Sequence, residues 1–518
     1  MPKPTTVKPI LSRIFQTLFF ASFAWIYGSI IVTNSGSMPW LSALLGIGFI
    51  AVGIAITVFC RKIAVKWKPK TIHFIFAGIS AIMFALLMYF GFSLKATYTW
   101  DIAAIYNAAV ASVTDTPDLS YFATCPNNIF IYLILKTFYK VVFALSGSTS
   151  VYYAIILNIC FIYIGVLFTY LIANKLWGAH IGLLTAVVCF FFAPFYTYTS
   201  QYYTDTFALP FVVIPIYLYL CAVTSKKPAI AYTLYASAGI LLALGYKLKG
   251  SVAIILAAIL IHLILSQKIL AFLKATAVML AAFVVIFFSF NTIAEPRVVS
   301  AELRNENARP FTHYVMMGLS GDGGWNDEDP AFTDSIHGAK EKKQANIAEI
   351  KKRISEFGFA GLMNHLTNKA VHNTWGDGTY LLFGEGRTYL ETNSKLWYFL
   401  SPKDNPVHRE DCYNVFYYYS QGFHLALLTL LMLSLVLGIK NGKIDATLLC
   451  KLAVYGLFLF LLIWETRSRY IYSFTPLLLL IATDTLNQIS GISLKNLKSW
   501  LTHQKDASTE SSLQQSTR

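Results

Sequence analysis

Charge is what this chain has least of. Asp, Glu, Lys and Arg make up 13% of its 518 residues, against roughly 25% in soluble domains. With 56% hydrophobic residues and a mean hydropathy of +0.56, the shortage excludes a water-soluble globular protein. The composition predicts an all-α polytopic membrane protein. Acids are scarcer than bases, 26 against 41. In a soluble chain that excess would suggest nucleic acid, but no soluble segment carries a basic stripe interleaved with aromatics, so nucleic acid is set aside as a partner. Cysteine is also sparse. The seven cysteines show no CxxC and no metal-ligand spacing, and most sit in apolar runs as small apolar residues. Cys125 and Cys412 both fall in outside segments, which leaves a disulfide between them open. The apolar run 14–33 is too long for a signal-peptide core and lacks a small-x-small exit, so it is read as a retained helix.

Apolar runs of about 17 to 25 residues, enough to span a bilayer, occur at 14–33, 40–60, 72–93, 151–173, 179–199, 205–223, 229–246, 250–266, 270–290, 421–438, 445–463 and 470–487. About twelve transmembrane helices are therefore expected. The run 127–145 carries Lys136 and Lys140 and is assigned to a helix lying against the membrane, beside a shorter one at 101–113. Lysines and arginines crowd alternate connections: Arg61, Lys62, Lys66, Lys68 and Lys70, then Lys175, Lys226 and Lys227, Lys268, and Lys440 and Lys443. The positive-inside rule places those connections and both termini in the cytoplasm of a multi-pass cell-membrane protein. Five segments follow: two N-terminal helices and a basic loop (1–71), a transmembrane core (72–290) with an outside loop at 94–150, an extracytoplasmic domain (291–420), C-terminal helices (421–490) and a disordered cytoplasmic tail (491–518). The extracytoplasmic domain holds 17 of the 26 acidic residues. Ile347, Ile350, Ile354 and Phe357 predict an amphipathic helix over 340–357, with a second helix at 359–373.

At the helix ends assigned to the outside stand three acids, Asp101, Asp205 and Glu465, and four bases, Lys247, Lys249, Arg467 and Arg469. A carboxylate in or beside lipid is costly and marks a site. Bases on the outer side oppose the orientation rule and call for an anionic partner such as a phosphate. End-of-helix snorkelling, salt bridging at the interface and N-capping by the two aspartates are the bland alternatives. Lys247 and Lys249 can point one way from an extended turn, whereas a helix separates them by about 200°. Tyr196, Tyr198, Tyr202 and Tyr203 are suited to stacking on a sugar or to an ordinary interfacial belt.

The order of these parts, Tyr98-Thr-Trp-Asp101, Gln201-Tyr-Tyr-Thr-Asp205, Gly245-Tyr-Lys-Leu-Lys249 and Glu465-Thr-Arg-Ser-Arg-Tyr470, resembles the GT-C superfamily of integral membrane glycosyltransferases over about residues 72–488. The branch it is similar to contains bacterial protein mannosyltransferases and aminoarabinose transferase. The resemblance implies a polyprenyl-phosphate-linked sugar donor, a cell-envelope acceptor (a polysaccharide, a teichoic-acid-like polymer or a glycolipid) and an active site on the outer face. Asp101 matches the first-loop catalytic acid and would act as base, with Asp205 as auxiliary acid. Lys247, Lys249, Arg467 and Arg469 would bind the phosphate, while Glu465, Tyr202 and Tyr203 would contact the sugar or orient an arginine. The two helices before residue 72 and Cys125-Pro-Asn-Asn depart from the family pattern.

No motif calls for a nucleotide, a soluble cofactor or a divalent metal. Asp327-Glu-Asp329 imitates the DxD of nucleotide-sugar transferases without the Rossmann context, and Asp322-Gly-Gly-Trp-Asn-Asp-Glu-Asp has the oxygen donors of a calcium loop. Other classes using the same substrates are a transporter or flippase of lipid-linked glycans and a glycan polymerase or ligase. A transporter calls for charges near the membrane midplane, whereas the charges noted above cluster at one set of helix ends.

Overall fold

The computed structural model describes residues 7–33, 39–381, 387–388, 395–400 and 410–491. The expected tail from 492 onward and the Cys412 side chain lie outside the described residues. Nearly everything described is helical, apart from two-residue strands Thr97–Tyr98 and Arg387–Thr388, which pair antiparallel. Ten helices among the described residues are long and apolar enough to cross a membrane: Val7–Thr33, Pro39–Ile63, Pro69–Ser93, Pro126–Ser146, Val151–Trp177, Thr204–Thr224, Pro228–Leu248, Ile269–Arg297, Asn414–Asn441 and Ala446–Ile463. A helix closes its own backbone hydrogen bonds, which is the requirement lipid imposes. Pro69 and Pro228 open two of them, where a missing N–H costs nothing.

The expected twelve differ in three places. The run 179–199 forms only Ala179–Phe190 before the chain turns into Pro194–Thr197. The run 250–266 begins as a 3-10 turn, leaving Ala253–Ser266 as α-helix. The last run is a 3-10 helix over Ser468–Phe474 and becomes α-helical only at 475–491. Conversely, the stretch 126–146 that was laid against the membrane is apolar and long enough to span one.

The two N-terminal helices pack on Glu410–Asn441. Gly46 and Gly422 meet there, and a methyl added to Gly422 would stand 2.7 Å from Leu45 Cβ, so the helices approach through small residues. Phe23 sets its ring edge-on to Trp375 and to Phe458, each at 5.3 Å, which ties the first helix to the helical segment 301–375 and to Ala446–Ile463.

That segment is built from short helices Ala301–Asn307, Phe311–Met317 and Glu328–Asp334 against the long helix Ala339–Ala370. The long helix is two helices joined at Gly358, whose φ of 58° favours glycine. The core of this segment is polar. Arg353 grips Asp329 with Nη1 and Nη2 at 3.1 and 2.6 Å, Arg309 grips Asp334 at 3.0 and 2.6 Å, and His313, Thr333 and Asn346 form a buried chain.

The segment is joined to the C-terminal turn by main chain. The Glu465 N–H donates to Tyr314 O at 2.8 Å and Thr466 N–H to Gly323 O at 2.9 Å. At Gly318 any Cβ would stand 2.7 Å from the Ile463 carbonyl oxygen, so only glycine allows this approach. Lys369 donates to the carbonyls of Gly318 and Leu462, and burial pulls its pKa down to about 8.

Candidate functional site

Asp101 opens the helix Asp101–Thr114. The N-cap position belongs to Trp100, so capping is not what holds the Asp101 carboxylate. Its Oδ2 instead accepts the Tyr203 hydroxyl at 2.7 Å. Tyr121 is buried beside it, and burial followed by the Asp101 charge pushes that phenol far above its ordinary value. The same two causes raise the Cys125 thiol to about 12, which makes it an inert thiol.

Asp205 is the second residue of the short helix Thr204–Phe207 and is fully buried. Its Oδ2 accepts Arg469 Nη1 at 2.8 Å and its Oδ1 accepts Lys249 Nζ. The guanidinium of Arg469 lies among three rings, 4.9 Å from the centres of Trp100 and Tyr470 and 5.5 Å from that of Tyr203. Lys249 stands 4.9 Å from the Tyr470 ring, and the Tyr470 hydroxyl donates to Glu465 at 2.7 Å. Tyr203 thus links the two aspartates, its hydroxyl on Asp101 and its ring beside Arg469, and residues as distant in sequence as Trp100 and Arg469 converge. Four hydroxyls in these segments, Ser200, Ser251, Tyr472 and Ser473, are buried without a hydrogen-bonding partner among the described residues. Such groups are costly unless a ligand satisfies them.

The backbone leading to Arg469 is also braced. Tyr380 and Leu381 both have φ of 57°, a strained setting for non-glycine residues. Asp377 holds them by accepting the N–H groups of Thr379 and Leu381 at 2.8 and 2.7 Å, while Ser468 donates to the same carboxylate at 2.6 Å. The Tyr198 hydroxyl donates to the Tyr380 carbonyl.

Three residues grouped with this site by sequence lie elsewhere. The helix Pro228–Leu248 ends just before Lys249, whose extended backbone (φ −153°, ψ 116°) turns it away from Lys247. Lys247 therefore bonds Asn291 and, at 2.8 Å, Glu295, which also holds Arg304. Arg467 reaches the helical segment 301–375, donating to Asp322 and to the Trp325 carbonyl, both at 3.2 Å. Tyr202 is buried with its ring against Tyr98 and Tyr106 at 5.8 and 5.7 Å, a packing position. The aspartates of 322–329 are held by the protein itself. Asp322 serves Gly324 N–H and Arg467, Asp327 accepts Trp325 Nε1, and Asp329 serves Arg353 and Asn326, so their carboxylates face different partners. Sequence reasoning overlooked Trp100 and Tyr470 as parts of the site, although each adjoins a residue already singled out. Their signal was position, an aromatic ring next to a charge at a helix end.

No curated protein matches this sequence. Among solved structures the chain is similar to the archaeal oligosaccharyltransferase AglB from Archaeoglobus fulgidus, determined with an inhibitory peptide and a dolichol-phosphate. The TM-score is 0.43 at 11% identity, with 83% of this chain and 51% of that one covered, so the chain spans about half of AglB's length. A family model described as conserved hypothetical integral membrane protein matches residues 5–489, and the chain belongs to that family.

Proposed function

We propose that this protein is a membrane glycosyltransferase that moves a sugar from a polyprenyl-phosphate donor to a cell-envelope acceptor at the outer face of the membrane. The observation that carries the reading is the joined cluster of Asp101, Tyr203, Asp205, Lys249 and Arg469, two carboxylates and two cations around an aromatic shelf. In this reading Asp101 takes the proton from the acceptor hydroxyl as it attacks the anomeric carbon. The carbon–oxygen bond to the lipid phosphate breaks, and the departing phosphate gains charge. Lys249 and Arg469 meet that charge, sharing it with Asp205, which holds both cations in place beforehand. Trp100 and Tyr470 offer rings on which a sugar face can stack. The unpartnered hydroxyls of Ser251 and Ser473 suit a ligand rich in hydroxyl groups. Lys247 and Arg467 drop out of the phosphate-binding set, because they stand on Glu295 and Asp322, away from the Asp101 and Asp205 carboxylates.

The test is glycosyl transfer by the purified full-length protein in detergent, supplied with labelled polyprenyl-phosphate sugars, where transport has no meaning. Release of polyprenyl phosphate that falls by about 10²–10⁴ in Asp101→Asn, with unchanged thermal stability, is the expected result. Undiminished release in that variant removes Asp101 from the role, and absence of release with every donor removes the activity.

A further inference from the structure

A second polar site lies at the other end of the helix bundle, the end the lysine distribution assigns to the cytoplasm. A narrow recess, open to solvent at one end, is lined by Gln16, Ser434, Lys443, Asp445, Lys451 and Asp484 among others. Asn441 and Lys443 at the mouth are exposed, while Lys451, in the apolar helix Ala446–Ile463, and Asp484, in the helix 475–491, are 5% and 4% exposed. The two charges line one cavity without pairing. Lys451 donates to Gln16 Oε1 and to the Ser434 carbonyl, both at 2.8 Å, which leaves one of its three hydrogens. Asp484 accepts Thr447 and Gln488 through Oδ2 alone, at 2.8 and 2.7 Å, so Oδ1 remains. The Ser434 hydroxyl is buried with no partner among the described residues. Burying a cation and an acid apart is costly unless something between them completes their hydrogen bonds.

We propose that this recess binds a phosphate monoester or inorganic phosphate, whose P–O oxygens accept from Lys451 and Ser434 and whose P–OH donates to Asp484. The ligand needs acceptors on one side and a donor on the other, and a singly protonated phosphate has both. At the mouth Lys443, with Arg13 and Lys440 close by, outnumbers the exposed Asp445 and favours an anion arriving from solvent or from a lipid headgroup. The reading is independent of the glycosyl-transfer proposal, since none of these residues belongs to the Asp205 cluster.

The test uses full-length protein in two arms. Calorimetry with inorganic phosphate in lipid-free detergent reads the free ion. Native mass spectrometry from phosphatidylcholine nanodiscs with and without phosphatidic acid reads the lipid. Saturable binding in either arm, weakened at least tenfold by Lys451→Met and several-fold by Ser434→Ala, is expected, and the responding arm names the source. Ser434→Ala removes a hydroxyl that holds nothing in the protein, so it keeps the fold and guards against a Lys451 variant that fails to assemble. Absence of binding in both arms, which leaves water as the occupant, overturns the proposal. So does binding that survives both substitutions, or that is lost in Lys249→Met while persisting in Lys451→Met.

Discussion

Asp205 and Glu295 are near-twins in their immediate bonding. Each is a buried carboxylate that takes one lysine from the 247–249 turn and one arginine, Arg469 for the first and Arg304 for the second. What surrounds them differs. The Asp205 triad has Asp101 one tyrosine away, three aromatic rings on its guanidinium and buried hydroxyls without partners. The Glu295 triad has Asn291 and the rings of Phe287 and Phe290 beside Lys247. The same ion-pair chemistry therefore fastens the Ile269–Arg297 helix end in one place and, under the proposed function, prepares a ligand site in the other. Neighbours decide which, not the pair.

The comparison is broken most directly by removing the carboxylates. Asp205→Ala leaves two buried cations uncompensated and should cost about 3–5 kcal/mol in denaturant unfolding along with all transfer activity. Glu295→Ala should cost less, because Arg304 is 20% exposed and regains water. Lys249→Met against Lys247→Met sharpens the contrast through rate: kcat should fall by about 10²–10³ in the first and stay within about threefold in the second. Equal loss in both would erase the distinction. Gly318→Ala should cost about 1–3 kcal/mol, since the added methyl meets the main chain of Ile463 to Glu465, with some activity lost as Glu465 shifts.

The smallest effect is one of pH. Burial, and after it the nearby Arg309, lower His313 from 6.5 to about 4, and its Nε2 has no partner to receive a new hydrogen. Between those values the unfolded chain takes up a proton that the folded one refuses. Stability should therefore fall as pH drops from 6.5 toward 4, by about 1–3 kcal/mol, and His313→Gln should flatten that slope in acid-unfolding curves.

The helices were legible because lipid permits little else, and so was the break near 358, where the amphipathic pattern ends at Phe357 and Gly358 follows. Asp101, Asp205, Lys249 and Arg469 stood out as charges against an apolar background. The division of labour between Lys247 and Lys249 was not legible, because it rests on the ψ of one residue at a helix end. Arg467 was misassigned for a related reason: its partner Asp322 lies 145 residues away, in a segment whose docking no local pattern encodes. Lys451 and Asp484 were visible as charges inside apolar runs, but attention to the outer helix ends passed over them. Their pairing with a common recess required knowing which helices touch.

Because the amides of Glu465 and Thr466 are stitched to Tyr314 and Gly323, the helical segment 301–375 and the turn bearing Arg469 form one mechanical unit. A pull on the segment is delivered along peptide bonds to the guanidinium only a few residues on. Grafting a foreign outer domain onto this bundle would therefore have to reproduce those two carbonyls before any side chain mattered.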